Sequence, residues 1–126
     1  MTYHIRKAAV IGSGTMGSGI AALLAGVGVP VVLLDIPPKD SAPGDLPAQR
    51  NRIVLDNLKT LQKSRPAALF HPDDFDLITP GNLDDHLDLL RDCDWVIEVI
   101  IENLAVKQDL MARLEDVCKP DAIIST

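Results

Sequence analysis

Residues 8–35, AAVIGSGTMGSGIAALLAGVGVPVVLLD, change their hydrophobic period twice. Ala8-Ala9-Val10-Ile11 is a short apolar run closed by Gly12, the pattern of a strand buried on both faces of a parallel sheet. From Thr15 the period turns helical. Met16, Ile20, Leu23 and Leu24 fall at i, i+4, i+7 and i+8, with Ala21, Ala22 and Ala25 as good helix formers, until Gly26 and Gly28 stop the run. Val31 to Leu34 is a second β-branched and apolar run, and it ends in a lone acid, Asp35. The stretch is therefore expected to form a strand, helix, strand unit.

Between the first strand and the helix lies Gly12-Ser13-Gly14-Thr15-Met16-Gly17, a G-x-G-x-x-G turn. In this context the three glycines act differently. The first makes the tight turn, the second lets a pyrophosphate approach bare backbone, and the third lets helix and strand pack closely. The free N–H groups and positive dipole end of the helix then face the phosphates. Asp35 follows Gly17 by 18 positions, where its carboxylate can accept hydrogen bonds from both ribose hydroxyls of an adenosine. It would also repel a 2′-phosphate, and Ile36-Pro37-Pro38 brings no arginine to neutralise one, the next cation being Lys39. The cofactor implied is NAD in preference to NADP. Gly12 through Gly17 and Asp35 are the candidate cofactor residues.

Composition narrows the alternatives. The chain of 126 residues is 47% hydrophobic and 24% charged, the balance of one soluble domain. Twelve Lys and Arg against eighteen Asp and Glu leave a net charge of −6, the wrong sign for gathering nucleic acid or anionic lipid. Ala8 to Leu34 carries no charge over 27 residues, but six glycines and Pro30 divide it, so no membrane span is expected. Cys93 and Cys118 lack C-x-x-C spacing and nearby histidines, which points to core thiols in a reducing compartment and to no metal. The N-terminus has no secretory cleavage signature, so a cytoplasmic location is expected.

Further along, Pro37 to Gly44 is loop-like, and Ala48 to Ser64 has the helical pattern, with Ile53, Val54, Leu58 and Leu61 on one side. Arg50, Arg52, Lys59, Lys63 and Arg65 gather there against Asp56 alone. Such a run is either a solvated helix face or an anion site. Phe75 to Thr79 is expected to be a third strand ended by Pro80-Gly81, Asp85 to Arg91 a short helix, and Trp95 to Ile101 a fourth strand buried on both faces. Asn103 is then placed to cap a helix bearing Leu104, Leu110, Leu114 and Val117, with Lys107 in its first turn, where a positive charge is disfavoured: it is either a solvated surface lysine or one that meets a nearby anion, Glu102 or a ligand phosphate. Glu98, inside the apolar strand, has no evident role. Ala122 to Ser125 makes a fifth strand. Repeated strand–helix order implies an α/β fold, a doubly wound parallel sheet of Rossmann type with a helical insertion between strands 2 and 3.

Lys7 to Ala21, KAAVIGSGTMGSGIA, and Trp95 to Leu110, WVIEVIIENLAVKQDL, resemble the N-terminal NAD-binding domain of the L-3-hydroxyacyl-CoA dehydrogenase family. The resemblance extends over nearly the whole chain and is weakest between Pro37 and Pro72. It implies oxidation of a 3-hydroxyacyl-CoA to the 3-oxoacyl-CoA with NAD as hydride acceptor, in fatty-acid β-oxidation or a related pathway. It further implies that Glu102 and Lys107 contact the cofactor and that the helical insertion touches coenzyme A, with Arg50 and Arg52 as phosphate partners.

In the family, a catalytic histidine and a glutamate that orients it would follow Thr126, and a helical domain beyond them shapes the acyl pocket and a homodimer interface. The chain is accordingly expected to be the incomplete cofactor domain, without a catalytic residue and inactive alone, since His4, His71 and His86 are not placed to meet the nicotinamide. Two other readings are an NAD-sensing or scaffold module and a dehydrogenase of a free hydroxy acid.

Overall fold

A computed structural model describes residues 5–64, 72–100 and 104–125. Five parallel strands, β1 (Ala8–Ile11), β2 (Val31–Asp35), β3 (Ile78–Asn82), β4 (Trp95–Glu98) and β5 (Ile123–Ser125), form one sheet in the order β3-β2-β1-β4-β5. The order reverses between β1 and β4, which places a crevice at the carboxyl ends of those two strands. Ile11 pairs with Leu34 on one side and with Glu98 on the other, so the turn after β1, Asp35 and Glu98 come to the same sheet edge.

Side chains alternate across the strands, and the two faces build two cores. Ala9, Ile11, Val32, Leu34 and Val96 pack with Leu90, Leu110 and Leu114, the last two from α4 (Leu104–Val117). Val10, Val31, Leu33 and Ile97 pack with Ala21 and Ala25 of α1 (Thr15–Gly26) and Val54 of the insertion. The doubly wound expectation is met. Among the described residues no helix is long and apolar enough to cross a membrane, and no group of His, Cys, Asp or Glu could hold a metal ion. Cys93 is buried and its thiol pKa is pushed up to about 12 by that burial, while Cys118 is half-buried and also raised.

Several elements differ from expectation, each for a physical reason. The apolar stripe of α1 is divided: Met16 and Leu23 are exposed, Ile20 and Leu24 only half-buried, and the sheet is met by Gly17, Ser18, Ala21, Ala22 and Ala25. Small residues win because they let the helix axis approach the sheet. The insertion is two helices, α2 (Pro47–Arg50) and α3 (Arg52–Ser64), broken at Asn51. Phe75 to Leu77 belong to a 3-10 turn spanning Pro72–Leu77, and the third strand runs on through Pro80 and Gly81. Proline is tolerated because β3 is the edge strand and needs ladder bonds on one side only. The short helix is a 3-10 segment at Leu87–Asp92, and β4 ends at Glu98. His4, His71, Arg65, Ile101, Glu102 and Asn103 lie outside the described residues.

One polar knot ties the far end of the sheet. Asp94 accepts the amides of Arg6 at 2.7 Å and Lys7 at 3.2 Å and pairs with Lys119, so it fastens the chain entering β1 to that entering β5. The Lys119 hydrogen bond, then the Arg6 amide, hold its pKa below the usual carboxylate value. A lowered folded pKa stabilises above the unfolded value of about 3.9, and the contribution is lost as pH falls through the folded one. The melting temperature should therefore decline as pH drops below about 4, and Asp94→Asn should flatten that acid limb. A variant whose acid limb matched the wild type would show that Asp94 is not the group responsible.

Candidate cofactor site

The turn after β1 is built as its glycines require. Gly12 has φ +109°, open to glycine at little cost, and a Cβ there would lie 3.2 Å from the Val99 carbonyl carbon and the Ile100 amide. At Gly17 a Cβ would lie 1.7 Å from the Gly12 carbonyl oxygen, so helix and turn touch backbone to backbone. Gly14 is exposed, and a Cβ on it would meet nothing within 4 Å: bare main chain with open space before it. The first turn of α1 carries no acidic side chain, so its positive dipole end is not already compensated. Thr15 and Met16 are exposed at the same helix start.

Asp35 is half-buried at the end of β2 and turned toward this loop. Its Oδ2 accepts the Ser13 amide at 2.7 Å and the Ser13 hydroxyl at 2.5 Å, and its Oδ1 accepts the Ile36 amide at 2.7 Å. Ser13 is fully buried, and Asn57 Nδ2 of α3 donates to its Oγ at 2.8 Å. A carboxylate has about four acceptor directions, so Asp35 retains capacity for a ribose hydroxyl. The open face at Gly14, the uncompensated helix end and this fixed acid fit a dinucleotide.

On the β4 side, Glu98 is 2% exposed. Its Oε1 accepts the Ile100 amide at 3.0 Å, and its Oε2 lies 3.9 Å from Lys107 Nζ. Among the described residues Glu98 is a partner of Lys107; the expected partner Glu102 lies outside them. Glu98 thereby gains a role: it pins the turn beyond β4 and offers the lysine a counter-charge at the crevice.

The expectation for Arg50 is corrected. Only 3% exposed, it donates through Nε to Asp85 at 3.1 Å, through Nη2 to Asp84 at 3.3 Å and through Nη1 to Ser41 at 3.2 Å. The Asp85 hydrogen bond raises its pKa, and the same bond lowers that of Asp85. Arg50 clamps the insertion to the turn after β3 and has no face left for a phosphate. Arg52 is exposed, 2.9 Å from the exposed Asp40, and Lys59 and Lys63 are solvated. Asn57 and the buried Asn82, which accepts the amides of Asp84 and Asp85, are functional or supporting residues that spacing alone missed. The available signal for Asn57 was a polar residue three positions beyond Val54 on the apolar face of its helix.

The profile described as 3-hydroxyacyl-CoA dehydrogenase, NAD binding domain, matches residues 7–126. The chain belongs to the 3-hydroxyacyl-CoA dehydrogenase family. It is 45% identical over 134 residues to a probable 3-hydroxyacyl-CoA dehydrogenase of Bacillus subtilis, covering 100% of this chain and 17% of that protein. It is 49% identical over 126 residues to a putative fatty acid oxidation complex trifunctional enzyme of Rickettsia felis, covering 100% and 17%. Among solved structures, FadB2 of M. tuberculosis superposes with a TM-score of 0.68 at 31% identity, over 98% of this chain and 41% of that one. The chain thus spans about a sixth of the length of the two curated relatives and corresponds to the family's NAD-binding domain, with NAD as cofactor.

Proposed function

We propose that this chain is the cofactor-holding part of an enzyme that oxidises an L-3-hydroxyacyl-CoA to the 3-oxoacyl-CoA in fatty-acid oxidation. The observation that carries the reading is the Asp35 carboxylate, fixed by three hydrogen bonds beside the open backbone at Gly14. When bound, NAD supplies the acceptor for the hydride released as the C3 alcohol becomes a ketone. The chain's own residues position it: Gly12 to Gly17 present amides to the diphosphate, Asp35 holds the adenosine ribose, and Lys107, paired with Glu98, and Glu102 are the further cofactor contacts that the family resemblance implies.

The relatives' names support an acyl-CoA substrate. Arg52 can trade its exposed pairing with Asp40 for a coenzyme A phosphate. Among the described residues no base is placed to take the hydroxyl proton. The Nδ1 atom of His86 accepts the Asn82 amide at 3.0 Å on the edge strand, two strands from the switch point.

NADH titrated into the chain by fluorescence is expected to bind saturably, with NADPH at least about tenfold weaker because its extra phosphate would face a carboxylate. Equal affinity for the two, or no binding of either, would overturn the cofactor reading. For the whole protein, NADH formation should depend on a 3-hydroxyacyl-CoA; reduction of NAD with a free hydroxy acid alone would favour the other substrate class.

A further inference from the structure

We infer that Asn57 is a positioning residue for the adenosine end of the cofactor, acting through the Ser13 hydroxyl on Asp35. The inference rests on the NAD reading above. Asp35, ionised, can only accept hydrogen bonds. The Ser13 hydroxyl, 2.5 Å from Asp35 Oδ2, must therefore spend its single proton on that oxygen. Its lone pairs then need a donor, and Asn57 Nδ2 at 2.8 Å is that donor. The direction of the relay is fixed from end to end: the Asn57 amide donates to Ser13, and Ser13 donates to Asp35.

The consequence is geometric. Asp35 is half-buried and lies at a strand end, where a carboxylate would otherwise sample several rotamers. Two bonds from Ser13 and one from the Ile36 amide hold it in one, with its remaining acceptor capacity for the ribose. Asn57 reaches the relay because Val54, at i−3 on the same face of α3, packs into the core with Val10 and Leu33, and Leu61, at i+4, is buried as well. The buried Ser18 hydroxyl, donating to the Ser13 carbonyl at 2.5 Å, fixes the other side of the Ser13 peptide.

The test is a titration of this chain with NADH, ADP-ribose and reduced nicotinamide mononucleotide, for wild type, Asn57→Ala, Asn57→Asp, Ser13→Ala and the Ser13→Ala/Asn57→Ala pair. Asn57→Ala should weaken NADH and ADP-ribose alike, by about tenfold, the worth of one hydrogen bond to a charged network. The mononucleotide, lacking adenosine, should be unaffected. Asn57→Asp should cost more, because two carboxylates then compete for one hydroxyl proton, and its penalty relative to wild type should shrink as pH falls toward the carboxylate range and the new group becomes a donor. The double variant should bind no worse than Ser13→Ala alone.

Wild-type ADP-ribose affinity in Asn57→Ala, additive losses in the pair, or equal weakening of the mononucleotide would each overturn the inference while leaving the NAD reading intact. Failure of the wild type to bind NADH would overturn both. Should Asn57→Ala not fold, the selective loss in Ser13→Ala and the pH-dependent penalty of Asn57→Asp decide the matter.

Discussion

Gly17→Ala is expected to destabilise the chain by about 3 kcal/mol or more and to abolish measurable NADH binding. The added Cβ would sit 1.7 Å from the Gly12 carbonyl oxygen and 2.8 Å from its carbon, with Val99 Cγ2 at 3.0 Å. The first two are backbone atoms of the turn itself, so no side-chain rotation relieves the clash. Either α1 moves off the sheet, opening the contact that Ala21 and Ala25 make with Val10, or the turn at Gly12 abandons its φ of +109° and with it the alignment of the amides that follow. Gly14→Ala is the internal control. Its Cβ would meet nothing within 4 Å and its φ of −62° suits any residue, so stability should stay within about 0.5 kcal/mol while NADH binding falls, because only the ligand needs that space. Urea denaturation and NADH titration on both variants separate the two effects. A Gly17→Ala variant with the wild-type midpoint would mean that helix and turn are not in backbone contact.

The central unit was legible because two signals coincide in it. Ala8–Ile11 and Val31–Asp35 are buried on both faces, so their apolar runs are unbroken, and each ends at a residue with one role, Gly12 or Asp35. Where a strand is buried less completely the signal fades. Phe75 to Leu77 satisfy an apolar alternation, but they close a 3-10 turn, and the sheet edge takes Ile78 to Asn82, including a Pro-Gly pair that in a central strand would have ended it. Spacing could not foresee that α1 meets the sheet through glycine, serine and alanine and exposes Met16 and Leu23, because helical periodicity reports hydrophobicity, and the closest approach depends on volume. Charge was the least legible property. Arg50 and Arg52 look alike in sequence, yet one is 3% exposed between two aspartates 34 and 35 positions away and the other is a solvated pair with Asp40. Partners so distant in the chain are set by the path of the insertion, as is Asn57 against Ser13.

Asp35→Ala should raise the NADH dissociation constant by about 100-fold, the loss of a charge-assisted hydrogen bond to ribose worth about 3 kcal/mol. That variant also leaves the Ser13 amide and hydroxyl, both in a fully buried residue, without their acceptor. An unsatisfied buried donor costs about 1–3 kcal/mol, so part of the lost affinity would come from the loop rather than from the ribose. Asp35→Asn separates the two. The amide keeps one oxygen for both Ser13 donors while removing the charge, and its NH2 gives up only the Ile36 amide as a partner, so it should cost NADH about tenfold with the Ser13 contacts kept. NADPH responds with the opposite sign. The full negative charge that repels its 2′-phosphate is gone in both variants, so its affinity should hold or rise, and the preference for NADH should shrink toward parity. If Asp35→Ala bound NADH as the wild type does, the acid would be a loop cap alone, and the adenosine would have to be sought away from the end of β2.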